Sequence, residues 1–152
     1  MPSIRVNLYF ENDYDNELLS KLPDYDGLLR LKGTVTFRKL QGWTEVLHAI
    51  IDTGAHTSTL PKWLWSEIER TKLTDHHVRG LVPGKECVMD VEVAWVRAMI
   101  VDVEGNRTDE IRFRALLVPS DEIPIVIGFK DLLERFEVCF NFPQRRAHIE
   151  SR

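Results

Sequence analysis

Ala49-Ile50-Ile51-Asp52-Thr53-Gly54-Ala55 is the stretch that decides how this chain is read. An apolar strand runs straight into an acid, a hydroxyl residue, a glycine and a small residue. Taking a carboxylate out of water disfavours its charged form, so an acid at the end of a buried strand usually has a specific partner or a chemical task. Gly54 permits a backbone conformation or close approach that a side chain would obstruct, and Ala55 keeps the neighbourhood small. The pattern predicts that some other group comes near the Asp52 carboxylate. Taken alone, the same string also fits a turn that merely ends a strand.

Working outward, the flanking segments predict strands. GLLRLKGTVTFRK (27–39) and TEVLHAIID (44–52) are rich in β-branched and apolar residues and are separated by a turn near Gln41-Gly42, which reads as an antiparallel pair ending at Asp52. VMDVEVAWVRAMIVDV (88–103) alternates over a long stretch, with Val91, Val93, Trp95, Met99, Val101 and Val103 expected on one side and Asp90 and Glu92 on the other. Gly105-Asn106 then turns the chain into EIRFRALLV (110–118), where Ile111, Phe113, Ala115 and Leu117 oppose Arg112 and Arg114. PIVIG (124–128), EVCFNF (137–142) and RAHIE (146–150) complete an all-β pattern. Helical spacing occurs in PKWLWSEIERTKL (61–73), with Pro61 at a plausible first position, and over a shorter span in FKDLLERF (129–136).

Composition narrows the setting. A chain of 152 residues with 43% hydrophobic content suits a single core. Twenty-four acidic residues against 20 basic ones offer no general attraction to nucleic acid or to anionic membrane surfaces. No apolar run approaches the roughly 20 residues that span a bilayer, and the N-terminus lacks the pattern of a secretion signal, so a soluble, cytoplasmic protein is expected. Cys87 and Cys139 belong to no C-x-x-C pair and read as reduced core thiols. His76-His77 makes a poor metal pair because adjacent strand residues face opposite ways. Trp63 and Trp65 suit packing or a surface patch better than base stacking. Residues 1–28, acidic and without a steady apolar period, read as an appendage, most simply a solvated charge group, with the sharper alternative that it covers the cleft or dimer surface until removed, and residues 29–152 as the folded domain.

The motif Ile50-Ile51-Asp52-Thr53-Gly54-Ala55, with Ser58 three residues beyond the alanine, resembles the active-site signature of the single-domain, retroviral-type (retropepsin-like) aspartic proteases. Ile125-Val126-Ile127-Gly128-Phe129-Lys130-Asp131-Leu132-Leu133 resembles the apolar-apolar-Gly segment that crosses behind the catalytic loop in that family and leads to a short helix. Gly80-Leu81-Val82-Pro83-Gly84 lies where the family has its flap, a β-hairpin that closes over substrate. The similarity covers roughly residues 30 to 150. His56 stands where many relatives carry Asp, Asn or Gln, and Phe129 where Arg is more usual.

This resemblance implies a closed acid-protease β-barrel with one or two short helices and a flap, one lobe per chain. It implies an aspartic endopeptidase in which Asp52, Thr53 and Gly54 are catalytic. Ala55 and flap residues Gly80, Leu81, Val82, Pro83 and Gly84 would contact the polypeptide substrate, and Ile127 and Gly128 would form the loop behind the site. No metal or organic cofactor is implied. The chemistry needs two carboxylates around one water, whereas the chain holds a single Asp-Thr-Gly, so a two-fold homodimer pairing two copies of Asp52 is expected. The alternative is a dimeric peptide-binding scaffold of the same fold that performs no chemistry.

Overall fold

The computed structural model describes residues 3–79 and 88–151. Its strands are β1 (Ile4–Asp13), β2 (Leu28–Phe37), β3 (Leu47–Ile51), β4 (Ser58–Leu60), β5 (Thr71–Arg79), β6 (Val88–Val101), β7 (Ile111–Leu117), β8 (Val126–Ile127), β9 (Glu137–Asn141) and β10 (Arg146–Ser151). They join in one ten-stranded sheet in the order β5-β6-β7-β4-β8-β3-β2-β1-β10-β9. β6 also pairs with β2, which closes β6, β7, β4, β8, β3 and β2 into a ring around the core. Closure removes the free edges that an open sheet of these strands would expose. Among the described residues helix is confined to α1 (Asn16–Lys21), α2 (Lys62–Trp65) and a 3-10 turn at Leu133–Arg135. Among the described residues no helix is long and apolar enough to cross a membrane.

The core follows from strand alternation where one face alone is apolar. Along β7, Ile111, Phe113, Ala115 and Leu117 are buried, while Arg112 is exposed and Arg114 half-buried. Phe113 meets Phe37 of β2 with ring centroids 6.4 Å apart, and Leu60, Ile100, Ile127, Leu132 and Ile149 fill the space around them. Each such side chain, fully withdrawn from water, contributes about 1.5–3 kcal/mol. The antiparallel pairing of β2 and β3 and the turn between them agree with the sequence pattern, and Gly42 takes the positive φ of 78° that a side chain would resist.

β6 departs from its expected face. Val91 is buried against Val118 and Ile123, but further along the strand it is Ala94, Val96, Ala98 and Ile100 that enter the main core. The register explains this: Ile100 stands opposite Val35, and Ala98 opposite Phe37, both on the inner face of β2. Trp95 instead lies beneath the guanidinium groups of Arg112 and Arg114, 4.2 and 5.2 Å from its ring, and Val103 is fully exposed in the turn. The register with β2 thus decides which face of β6 is buried, and Trp95 falls on the other.

Residues 4–13, expected within an appendage, form β1 inside the sheet. The strand pairs with β10 over Ile4–Leu8 and with β2 over Tyr9–Asp13, and Val6 and Leu8 are buried in the main core. Its alternation of Ile4, Val6, Leu8 and Phe10 with Arg5, Asn7 and Tyr9 was visible but obscured by the acidic stretch that follows. That stretch starts α1, whose first N–H groups at Glu17 and Leu18 are capped by the Asp15 carboxylate at 2.9 and 3.2 Å.

The helix expected over 61–73 is reduced to α2. Pro61 is its N-cap rather than its first residue. The backbone N–H of Glu69 is taken by the Arg38 carbonyl at the end of β2, so bonding to the barrel replaces helix continuation, and the chain leaves as β5 from Thr71. Trp65 packs with its indole N–H on the Val118 carbonyl, whereas Trp63 is exposed. The second expected helix is only the 3-10 turn. Cys139, expected in the core, is a free thiol exposed on the sheet edge, because β9 packs inward mainly through Val138. Cys87 lies outside the described residues.

Asp102 binds β1 to the turn after β6. Its carboxylate accepts the N–H groups of Asn7, Glu104 and Asn106 and the Asn106 side-chain amide at 2.9–3.0 Å. Burial pushes the Asp102 carboxyl up, but the hydrogen bonds together outweigh it and hold the group below its ordinary value. A carboxyl lowered in the folded state stabilises the protein above its unfolded value, and that stabilisation disappears as pH falls through the folded one. Asp102→Asn is expected to lower the urea midpoint at neutral pH, with the gap to wild type narrowing between about pH 5 and pH 2. Leu8→Ala is expected to cost about 2–5 kcal/mol in the same denaturation measurement, whereas a detachable appendage would give no change.

Candidate active site

β3 brings the chain to Asp52 in contact with β8. Ile50 N–H bonds to the Ile125 carbonyl and Asp52 N–H to the Ile127 carbonyl, both at 2.9 Å, in the parallel register of the two strands. Beyond Asp52 the chain turns sharply. Gly54 N–H donates to Asp52 Oδ1 at 2.9 Å and Ala55 N–H to the Asp52 carbonyl at 3.2 Å. A Cβ on Gly54 would stand 3.2 Å from that same carboxylate oxygen, which gives the glycine a steric reason.

Ile51 is buried, but Asp52, Thr53 and Gly54 are exposed and Ala55 is half-buried. The expectation of an acid inside the fold is corrected: the chain leaves the core one residue earlier. In the single chain the carboxylate therefore meets water. Oδ1 is oriented by Gly54, while Oδ2 has no hydrogen bond among the described residues.

β8 threads between β3 and β4, parallel to the first and antiparallel to the second. Three successive N–H groups of the segment that follows grip the Asp52 loop. Gly128 donates to Ser58 Oγ at 2.9 Å, Phe129 to the Ala55 carbonyl at 2.7 Å and Lys130 to the His56 carbonyl at 2.8 Å. A Cβ at Gly128 would lie 2.7 Å from the Thr57 carbonyl carbon, 2.8 Å from Ala55 O and 2.9 Å from Ser58 N. Those are backbone atoms that cannot swing aside, so this crossing accepts only glycine. Ile127, beside it, is fully buried. The structure thus brings Asp52, Thr53, Gly54 and Ala55 together with Ile127 and Gly128. Gly80, Leu81, Val82, Pro83 and Gly84 lie outside the described residues.

Sequence reasoning missed the ion pair beside this loop. Arg114 of β7 donates from Nε to Asp131 Oδ2 at 2.7 Å and from Nη2 to Oδ1 at 3.0 Å, and its backbone N–H adds a third bond to Oδ2 at 3.2 Å. Asp131 adopts a positive φ of 67° instead of starting a helix, and its own N–H is accepted by Glu134 Oε1 at 2.9 Å. Hydrogen bonds from Arg114 hold the Asp131 carboxyl below its ordinary value despite its burial. The partners come from separate motifs, so local spacing offered no sign of the pairing.

A cleft of about 440 Å³ opens next to the loop, between His56 and Thr57 on one side and the β5–β6 hairpin on the other. Within that hairpin His76 and His77 stand opposite Val91 and Asp90, and His77 Nδ1 lies 2.5 Å from Asp90 Oδ1. Among the described residues no cluster of three His, Cys, Asp or Glu side chains has the arrangement of a metal site.

Ser58→Ala would leave the buried Gly128 N–H without its acceptor and is expected to cost about 1–3 kcal/mol in chemical denaturation. Gly128→Ala is expected to be more damaging, since the backbone of 55–58 must move to admit the methyl group. No protein-family model matches this chain, and no curated protein matches its sequence.

Proposed function

We propose that the chain is a retropepsin-like aspartic endopeptidase, active as a two-fold homodimer in the cytoplasm. The observation that carries this reading is the Asp52 loop, clamped from behind by Gly128, with one carboxylate oxygen oriented by Gly54 and the other open to solvent. The closed ring of six strands, the threading of β8 between β3 and β4, and the β5–β6 hairpin beside the loop all fit it. An exposed free thiol at Cys139 suits a reducing compartment.

In this reading two copies of Asp52 meet across the dimer axis and share one water and one proton. The ionised carboxylate takes a proton from the water as its oxygen attacks the scissile carbonyl carbon, and the protonated one hydrogen-bonds the carbonyl oxygen. Collapse of the tetrahedral intermediate breaks the C–N bond, and the leaving amine receives a proton from the dyad. Thr53 donates its hydroxyl across the axis to the partner loop, which keeps the carboxylates near one plane. Exposure of Asp52 in the single chain is what such a half-site requires, because the second carboxylate approaches from outside. The substrate is an extended polypeptide held against the loop by the hairpin.

One observation favours the scaffold alternative: the neighbouring cleft begins at His56 and does not include Asp52. The two readings part on catalysis. Under the protease reading, cleavage of a mixed peptide library at mildly acidic pH rises more steeply than linearly with protein concentration and disappears in Asp52→Asn. A demonstrated dimer that cleaves nothing would reject the protease reading in favour of the scaffold.

A further inference from the structure

The cleft beside the Asp52 loop has an apolar floor and a rim of hydrogen-bond donors. Val78, Val93 and Leu116 form the floor, and two of these, Val78 and Leu116, pack on the small buried cluster of Val91, Val118 and Ile123. The strand register makes the surface continuous, since Thr74 stands opposite Val93 and Val93 opposite Leu116. Donors come from four separate elements: His56 from the Asp52 loop, His76 from β5, Arg114 from β7 and Lys130 from the segment after β8.

The anionic acceptor on these walls is already engaged. Asp131 is the carboxylate among the lining residues, and both its oxygens take bonds from Arg114. Thr57 Oγ1 lies 3.1 Å from His56 Nδ1, and the Thr74 hydroxyl donates to the Asp75 carbonyl at 3.1 Å. Donors are not exhausted in the same way. Arg114 Nη1 has no hydrogen bond among the described residues, and the Lys130 ammonium, with three N–H bonds, contacts the single carboxylate of Glu134 at 3.4 Å. Each protonated imidazole has an N–H to offer, whereas a neutral His56 whose Nδ1–H is spent on Thr57 presents an acceptor at Nε2.

Such a site discriminates by charge. A carboxylate entering it meets donors whose other partners are few, in a setting partly shielded from water, where charge-assisted bonds are the strong kind. A lysine or arginine side chain would meet no uncommitted carboxylate among the lining residues and would face a guanidinium and an ammonium. The apolar floor adds a requirement for methylene groups between the backbone and the charge. We infer that this cleft is a substrate subsite for a glutamate side chain of the bound polypeptide, an inference that rests on the reading of the chain as a peptide hydrolase. Arg114 is held in place for this role by Asp131 on one side and by its position over Trp95 on the other.

The test uses the full-length protein and matched peptides that differ at a single position by Glu, Gln or Lys, with that position scanned through the residues around the cleaved bond. At one position the Glu peptide is expected to be cut with a kcat/KM about tenfold above that of the Lys peptide, with Gln between them. Lys130→Glu and His76→Gln, which alter different walls, are each expected to reduce the Glu-to-Lys ratio. Equal cleavage of all three peptides at every position, or a ratio unchanged in both variants, would overturn the subsite while leaving the hydrolase reading intact. If no peptide is cut, the same set is titrated onto the protein by fluorescence anisotropy. Tighter binding of Glu than Lys peptides then upholds the subsite, the hydrolase reading falling where the uncut sample is a demonstrated dimer, and binding blind to charge rejects the subsite.

Discussion

The crossing of β8 behind the Asp52 loop is the constraint on which the rest of this structure depends. At Gly128 two backbones approach so closely that a single methyl group would collide with three main-chain atoms. The contact is secured by the Ser58 hydroxyl, itself buried, and by the next two N–H groups bonding to Ala55 and His56. β8 is only two residues long, yet it supplies the seam between β3 and β4 without which the ring of strands would not close. The position of the Asp52 carboxylate is thus inherited from the barrel through the bonds that hold its loop.

Much of this was legible because the relevant signals were local. The alternation of β7 has apolar residues on one face and arginines on the other, so the buried set could be read directly. The Asp-Thr-Gly-Ala string and the Ile127-Gly128 pair were likewise visible as short patterns, and the structure brings both to one place. β6 was misread because both its faces are apolar, and side-chain size proved a poor guide where Ala98 must fit against Phe37. β5 carried no pattern at all: as an edge strand it is exposed almost throughout, with only Val78 half-buried. The Arg114–Asp131 pair and the apolar cleft beside it depend on contacts between distant segments, which no window of sequence contains.

The same structure separates two kinds of acid. Asp102 and Asp131 are held by several donors each and fasten one part of the fold to another. Asp52 has one donor on one oxygen and is otherwise open. A carboxylate with both oxygens engaged is a structural fixture, whereas one with an oxygen left open retains capacity for another molecule.

β1 divides its length between two neighbours, β10 for its first half and β2 for its second. Ile4 and Ser151 are partners in this seam, at nearly opposite ends of the described chain. During synthesis β1 is made before β10, with half of its backbone pairing groups and the buried positions of Val6 and Leu8 lacking the strand that completes them. Pairing with β10 must wait until residues 146–151 have been made, so this closure carries the entropic cost of a loop that spans nearly all of the described residues. Until then the nascent chain displays an apolar strand in search of a partner, which makes this interval the one in which another copy, or a chaperone, can compete for β1.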